Sequence, residues 1–341
     1  MRVGMIGTGA IAGKHAQAYK NIGYRVSVCT DISAERGHEF SKIYGAEFVP
    51  SAEQLCSHPE VDFVDVCTLP NYRLPAVDLC AKYGKHVLVQ KPMAIELETA
   101  ERMIVLARDA GIQLGVVSQH RFDDSVLFLK RAIAEGRLGK ILEADAYVKW
   151  YRSAEYYAPK IKGSWAGEGG GALINQAIHQ IDVLLYLIGP VDEIFAQWQL
   201  GALHKIESED SLNALLHYSS GALGVIQAAT SYWPGFPERV EIHGTKGSAV
   251  ITGDQLTAWD VRDDSGEAAP LAHHAATGAS DPMAISLLTI ERQLLDFGEA
   301  CATGRPPACT GMDGFRALQL VKSIYVSCAE RRKVEIMPIV I

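Results

Sequence analysis

The residues that could do chemistry fall in three short runs. Gly7-Thr8-Gly9-Ala10-Ile11-Ala12 follows the apolar run Arg2–Ile6 and opens a helical pattern. Its spacing is GxGxxA: Gly7 allows a tight turn, Gly9 lets the backbone approach a pyrophosphate, and Ala12 allows close helix–strand packing. The helix N-terminus adds partial positive charge for the phosphates. Asp31 ends the second strand-like run, 22 residues past Gly9. A carboxylate there accepts hydrogen bonds from both ribose hydroxyls and repels a 2′-phosphate, so NAD is expected as the cofactor ahead of NADP. Arg36, a helical turn beyond, is the residue that could face a 2′-phosphate. Read singly, such glycines are turn residues and such an aspartate is a helix cap. The register of all of them together favours the nucleotide.

The second run is Gln90-Lys91-Pro92, directly after the apolar run His86–Val89. In an open parallel sheet, ligands bind outside the carboxyl ends of the strands. A lysine there can donate to a substrate oxygen, and burial would let it share a proton. Taken alone, a lysine at a strand end is usually a solvated surface charge. In the third run, Gly169-Gly170-Gly171 leads into the helical pattern Ala172–Ile188, with Asn175 and His179 four residues apart on one face. Asp182 could orient the His179 ring or sit on the solvent side. The glycines let backbone or ligand come close to the helix start.

Other residues are expected around these runs. Ile32, Thr68, Leu69, Pro70, Asn71, Gln90 and Gln119 should join Gly7, Thr8, Gly9, Ala10, Ile11, Asp31 and Lys91 at the cofactor. Gln119, His120 and Arg121 end a strand-like run and should face the same cleft. Trp150, Tyr151, Arg152, Tyr156, Tyr157 and Trp165 make an aromatic, donor-rich loop that suits a carbohydrate or is a packed inter-domain loop. Gln119, Arg121, Trp150, Arg152, Tyr156, Trp165, Asn175, His179 and Lys91 are the expected substrate contacts, and Tyr232-Trp233 are expected to cap the pocket or support an oligomer. His273-His274, near Asp260, Asp263 and Asp264, are not expected to hold a metal, because adjacent histidines rarely bind one ion.

The elements that must position these residues are readable from periodicity. Apolar runs at Arg2–Ile6, Tyr24–Cys29, Phe63–Cys67, His86–Val89 and Gln113–Val117 alternate with helical patterns at Ile11–Ile22, Ser33–Tyr44, Tyr72–Tyr83 and Ile95–Ala110. That alternation predicts a parallel sheet with helices on both faces. Past residue 120 the rhythm changes. Helices are expected at Ser125–Glu135 and Ala172–Ile188. Strands are expected at Ile141–Trp150, Val191–Leu200, Asp210–Tyr218, Ala222–Ala229, Arg239–His243 and Ala249–Thr252. A polar loop at Asp263–Asp281, helices at Ile285–Cys301 and Met312–Glu330, and a short strand follow. The expected fold is α/β: a Rossmann domain over 1–120, then an α+β domain over 121–341 with an open, mainly antiparallel sheet.

The chain has 341 residues, 48% of them hydrophobic and 21% charged, which is a globular balance and excludes whole-chain disorder. Its net charge of -8 argues against nucleic acid as a partner. No run of roughly 20 apolar residues predicts a membrane span. Seven scattered cysteines without a CxxC pair fit reduced thiols, and the absence of a leader-like N-terminus gives a cytoplasmic expectation.

The GxGxxA start, the run Gly84-Lys85-His86-Val87-Leu88-Val89-Gln90-Lys91-Pro92 and the GGG…N…H..D helix resemble the Gfo/Idh/MocA oxidoreductases across the whole chain. The resemblance implies hydride transfer between NAD(P) and a secondary alcohol of a sugar, sugar derivative or cyclitol. It implies catalysis by Lys91, with proton exchange at His179 and a neighbouring hydroxyl held by Asn175. It also implies a homodimer or homotetramer formed on the open sheet. An NAD-dependent glycosidase or lyase using transient oxidation, and a non-catalytic sensor, are the alternatives. The chain departs from the family at Gln90, usually glutamate, and at Asn175, often aspartate. The run Pro70-Asn71-Tyr72-Arg73-Leu74 also lacks a histidine common there.

Overall fold

The computed structural model describes residues 1–272 and 286–338. The chain divides into two compact units; among described residues, the first comprises 1–119 and 286–315, and the second 120–272 and 316–338.

The first unit is built on β1 (Arg2–Ile6), β2 (Arg25–Thr30), β3 (Glu47–Phe48), β4 (Phe63–Val66), β5 (His86–Val89) and β6 (Leu114–Val116). They pair in parallel in the order β3-β2-β1-β4-β5-β6. This is the doubly wound order, and its central strands are buried, as their continuous apolar runs require. Helices α1 (Ala10–Asn21), α2 (Ala34–Tyr44), α3 (Ala52–Ser57), α4 (Arg73–Lys82) and α5 (Leu97–Asp109) connect them. Ser33 caps α2 by accepting from the Arg36 amide, and Gly45 ends it in the left-handed conformation at φ 70°.

The unit is not continuous in sequence. A single cut at 120/121 would assign the helix near 285–301 to the second domain, but that segment returns to the first unit. Its Phe297 is 1% exposed and meets Phe63 at a ring distance of 5.3 Å. A Cβ at Gly115 in β6 would lie 2.7 Å from the Phe297 ring, so glycine is required for this approach.

The second unit carries α6 (Asp124–Ala134), β7 (Ile141–Lys149), α7 (Trp165–Glu168), a π-helical turn (Leu173–Ala177), α8 (Ile178–Ile188), β8 (Val191–Leu200), β9 (Glu209–Tyr218), β10 (Leu223–Ala229), β11 (Arg239–Gly244), β12 (Gly247–Thr252) and β13 (Gln255–Val261). Helix α9 (Leu287–Thr303) belongs to the first unit, α10 (Gly311–Glu330) contributes to both, and β14 (Val334–Glu335) returns to the second. The eight-stranded sheet runs β13-β12-β11-β7-β10-β9-β8-β14. Only the β7–β10 pair is parallel; the other pairings are antiparallel. In β9 burial alternates after the first four residues, so one face of the sheet is covered and the other open.

Three expectations change. The segment Ala172–Ile188 is not one uniform α-helix, because Leu173–Ala177 is a π-turn, a rare widening that is frequent at functional sites. Together with α7 it makes a 24-residue stretch, Trp165–Ile188, long and apolar enough to span a membrane by length and composition, contrary to the sequence expectation. Its most apolar window is 72% buried, as a core helix would be. Strands β3 and β13 were not apparent in the pattern. All seven cysteines are free thiols, and only Cys301 is not buried.

Candidate active site

Turns at the carboxyl ends of β1, β2, β4 and β5 bring the first unit's candidate residues to one edge of its sheet. Gly7 has φ 88°, and a Cβ there would meet the Cys67 carbonyl oxygen at 2.9 Å. At Gly9 a Cβ would meet no protein atom within 4 Å, so this glycine is not required by packing. Gly9 stands at the N-cap of α1 without a side-chain cap, and the first turn holds no acidic residue. These features fit the phosphates of a dinucleotide, because the helix end presents unpaired amides and positive potential.

The Asp31 carboxylate accepts from the Thr8 amide at 2.8 Å, the Thr8 hydroxyl at 2.9 Å, the Ser33 amide at 2.8 Å and Arg36 Nη2 at 2.8 Å. Burial raises its pKa, but these hydrogen bonds outweigh burial and hold it below the usual carboxylate value. Arg36 is therefore Asp31's partner. Ile32 is 92% exposed beside it, an apolar platform at the strand end. Past β4, Thr68 is half-buried, Leu69 and Asn71 are exposed, and Pro70 is buried at the start of a 3₁₀ turn.

Lys91 is half-buried just past β5. Gln90 departs from the expected cofactor role: its side chain is buried, with Nε2 2.8 Å from His15 Nε2. His15 Nδ1 lies 2.7 Å from Asp65 Oδ2, which also accepts from the Tyr19 hydroxyl at 2.9 Å. Cys67 Sγ donates to Asp65 Oδ1 at 3.5 Å. The potential ligand atoms of His15, Asp65 and Cys67 lie within 4.8 Å of one another. Burial pushes the Cys67 thiol well up, so it is a protonated donor in this network rather than a thiolate ligand. Gln119 is 5% exposed and opens a 3₁₀ turn, so its side chain is largely withdrawn from ligand.

In the second unit the three glycines lead into the π-turn. A Cβ at Gly171 would lie 1.9 Å from the Glu209 carbonyl oxygen, so β9 passes directly against the loop. The buried Glu209 carboxylate accepts from the Gly171 amide at 3.0 Å, the Leu173 amide at 2.8 Å and the Tyr325 hydroxyl at 2.8 Å. Burial lifts its pKa to about 7 despite these donors. Asn175 and His179 are both half-buried. Asn175 Nδ2 donates to the carbonyls of Gly170 at 3.2 Å and Gly171 at 3.3 Å, so the amide braces the loop. Glu168 joins Lys162 at 2.7 Å and accepts from the Gly163 amide at 2.9 Å.

Asp182 does not sit on the solvent side. It is buried and takes both Nε and Nη2 of Arg121, each at 2.7 Å. That pairing corrects the expectation that Arg121 binds substrate, since its guanidinium is held by a buried carboxylate. The ring beside His179 is His120, at 5.2 Å between centroids and nearly perpendicular. Burial lowers the His120 pKa, but the Asp123 hydrogen bond and the charges of Asp123, Glu238 and Asp254 raise it overall. His120 Nδ1 is 2.8 Å from Asp123.

The aromatic loop divides into separate clusters. Trp150 is buried with its indole on Glu238 at 3.1 Å, and Arg152, 4% exposed, lies over the Trp150 ring. These two are core contacts rather than substrate contacts. Tyr156 accepts from Gln176 Nε2 at 3.1 Å and lies under Lys162. Tyr151 meets Trp233, and Tyr157 bonds Thr230. Trp165 is half-buried and packs against Trp198 and Tyr325. Tyr232 reaches Ser211 at 3.0 Å, and Trp233 is 76% exposed. His273 and His274 lie outside the described residues. Sequence reasoning missed Lys162, Glu168 and Glu209; only the Lys160-Ile161-Lys162-Gly163-Ser164 run, just before the glycines, could have drawn attention to the first.

A model of the oxidoreductase family with an NAD-binding Rossmann fold matches residues 1–118, and one of the GFO/IDH/MocA C-terminal domain matches residues 126–250. The chain belongs to the GFO/IDH/MocA family of oxidoreductases. Among relatives of this GFO/IDH/MocA protein, a myo-inositol 2-dehydrogenase of Thermotoga maritima is 28% identical, with 100% of both chains covered. A 1,5-anhydro-D-fructose reductase of Ensifer adhaerens is 30% identical over 98% of each. The WlbA dehydrogenase of Bordetella pertussis, solved with NADH and UDP-GlcNAcA, superposes with a TM-score of 0.87 at 26% identity, covering 99% of this chain and 98% of that one.

Proposed function

We propose that this protein is an NAD-dependent dehydrogenase or reductase acting on a secondary alcohol of a sugar, sugar derivative or cyclitol. The observation that carries the reading is Lys91, half-buried at the carboxyl end of β5, on the sheet edge that also bears the Gly7–Gly9 turn and Asp31. The relatives named for inositol and anhydrofructose support the substrate class.

When bound, NAD supplies the hydride acceptor, and NADH the donor in the reverse direction. Gly7 and Gly9 would let the backbone reach the pyrophosphate, and Asp31 would hold the adenosine ribose. Lys91 Nζ donates to the reacting oxygen and stabilises charge that develops there. An imidazole nitrogen of His179 takes the hydroxyl proton. Asn175 fixes the glycine loop that leads into the His179 helix. The open sheet face, where Leu215 is 60% and Leu223 59% exposed, suits self-association into a dimer or tetramer.

A panel of cyclitols, aldoses, uronates, anhydro sugars and glycosides, followed by NADH absorbance and product analysis, tests the reading. Net NADH formation with oxidation of a free alcohol is expected. Cleavage of a glycoside without net NADH would replace it with transient oxidation, and binding without turnover of any member would make the protein a sensor.

A further inference from the structure

Arg73 opens α4 and its side chain is buried, 3% exposed. A buried guanidinium is usually matched by a carboxylate, because desolvating an unpaired charge is costly. Here its partners are backbone carbonyls. Nη2 and Nε donate to the Thr68 oxygen at 2.7 Å and 3.2 Å. Nη1 donates to the Gln90 oxygen at 2.5 Å and also to the Pro92 oxygen. Nη2 reaches the Lys91 oxygen at 3.5 Å. One planar fork therefore joins the turn after β4 to the turn after β5, and it grips the residues on both sides of Lys91. The Gln90 side chain, anchored on His15, fixes the same turn from the other direction.

We infer that Arg73 is the positioning residue for Lys91: it clamps the carboxyl ends of β4 and β5 so that the lysine is held in one orientation at the sheet edge. The inference rests on the catalytic reading of Lys91. Arginine suits the task because its five donors have fixed directions, whereas a lysine ammonium offers three from one point. Burial lowers its pKa to about 9, which leaves it charged at neutral pH. Small displacements of a catalytic group are expensive, since misplacement by about 1 Å can cost on the order of 10²-fold.

The test compares Arg73→Lys, Arg73→Met and Lys91→Ala in the full chain. Arg73→Lys is expected to lower kcat by roughly 10–100-fold, with KM and the NAD dissociation constant within about twofold of the parent. Hydrogen exchange should rise in peptides covering residues 89–94 and stay unchanged in β1 and β2. Arg73→Met should lose more, with added guanidinium restoring part of it. An Arg73→Lys protein with parental kcat, beside an inactive Lys91→Ala, would overturn the clamp. So would insolubility of Arg73→Lys, or faster exchange throughout the sheet, because either would make Arg73 a general stability residue. Near-full turnover of Lys91→Ala would instead overturn the reading of Lys91, with the exchange at residues 89–94 still reporting the clamp separately.

Discussion

Asp31 and Arg36 form a pair whose balance sets cofactor choice. The carboxylate is held ionised by four donors, so it opposes a 2′-phosphate, while Arg36 at 2.8 Å offsets part of that charge. Tighter binding of NAD than NADP is expected, and Arg36→Ala should widen the gap by removing the cation paired with Asp31. Fluorescence titration of both nucleotides checks this; tighter NADP binding by the parent would sink it. His120 carries a second residue-level prediction. Its raised pKa keeps it an imidazolium to higher pH than the ordinary value of about 6.5. A cation 5.2 Å away disfavours protonation of His179, and Asp123, Glu238 and Asp254 are the acids that hold that cation. His120→Gln removes the cation, which makes His179 easier to protonate. The acidic limb of the kcat/KM profile for alcohol oxidation should therefore move to higher pH; an unmoved limb would detach His120 from the base. The glycines and Asp31 were legible in sequence because their job is set by local backbone and short spacing. Gln90, Arg121 and Arg73 were not, because what they touch lies elsewhere in the chain: His15 is 75 positions from Gln90, and Asp182 is 61 from Arg121.

At the scale of elements, the glycine loop and the π-turn depend on β9. Glu209 reaches across to the Gly171 and Leu173 amides and takes the Tyr325 hydroxyl. Its folded-state pKa, about 7, stands above the ordinary carboxyl value, so folding favours its protonated form. The stability it contributes is fully present below about pH 4.5 and is lost as pH rises through 7, a change on the order of 3 kcal/mol. Glu209→Gln cannot titrate. Its melting temperature relative to the parent should thus improve between pH 5 and pH 8, on top of a constant offset from the altered hydrogen bonds. A parent–variant difference that does not change with pH would show that Glu209 does not titrate in this range. The alternation of strands and helices in the first unit was readable from buried runs, and the antiparallel strands of the second from turns and alternation. The π-turn was not. Leu173–Ala177 is apolar and reads as ordinary helix, and the constraint that accompanies it is the approach of β9 to Gly171.

For the molecule as a whole, the decisive feature is that the nucleotide-binding unit is completed by a segment from near the end of the chain. The amphipathic pattern of α9 announces an apolar face but not what that face meets. In the fold, Gln293 is 3% exposed and closes the end of β6, accepting from the Ser118 amide and donating to the Val116 carbonyl, each at 2.9 Å. Phe297 fills the space left by Gly115 and lies against Phe63. Residues 1–120 alone would leave Phe63 and the β6 backbone uncovered, with an apolar surface exposed and the Ser118 amide, the Val116 carbonyl and the Val116 amide without their partners. That fragment is expected to lack a cooperative melt and to bind NAD weakly. Joining residues 286–315 to it should restore both properties. Within the full chain, Phe297→Ala should destabilise by about 3–5 kcal/mol, the usual range for emptying a buried aromatic site. The same variant tests how the damage reaches function. If α9 acts only by completing the core, NAD affinity measured well below the melting temperature should stay close to parental while the midpoint falls. A fragment 1–120 that melts cooperatively and binds NAD like the full chain would show that α9 is an addition to the nucleotide unit and not part of it.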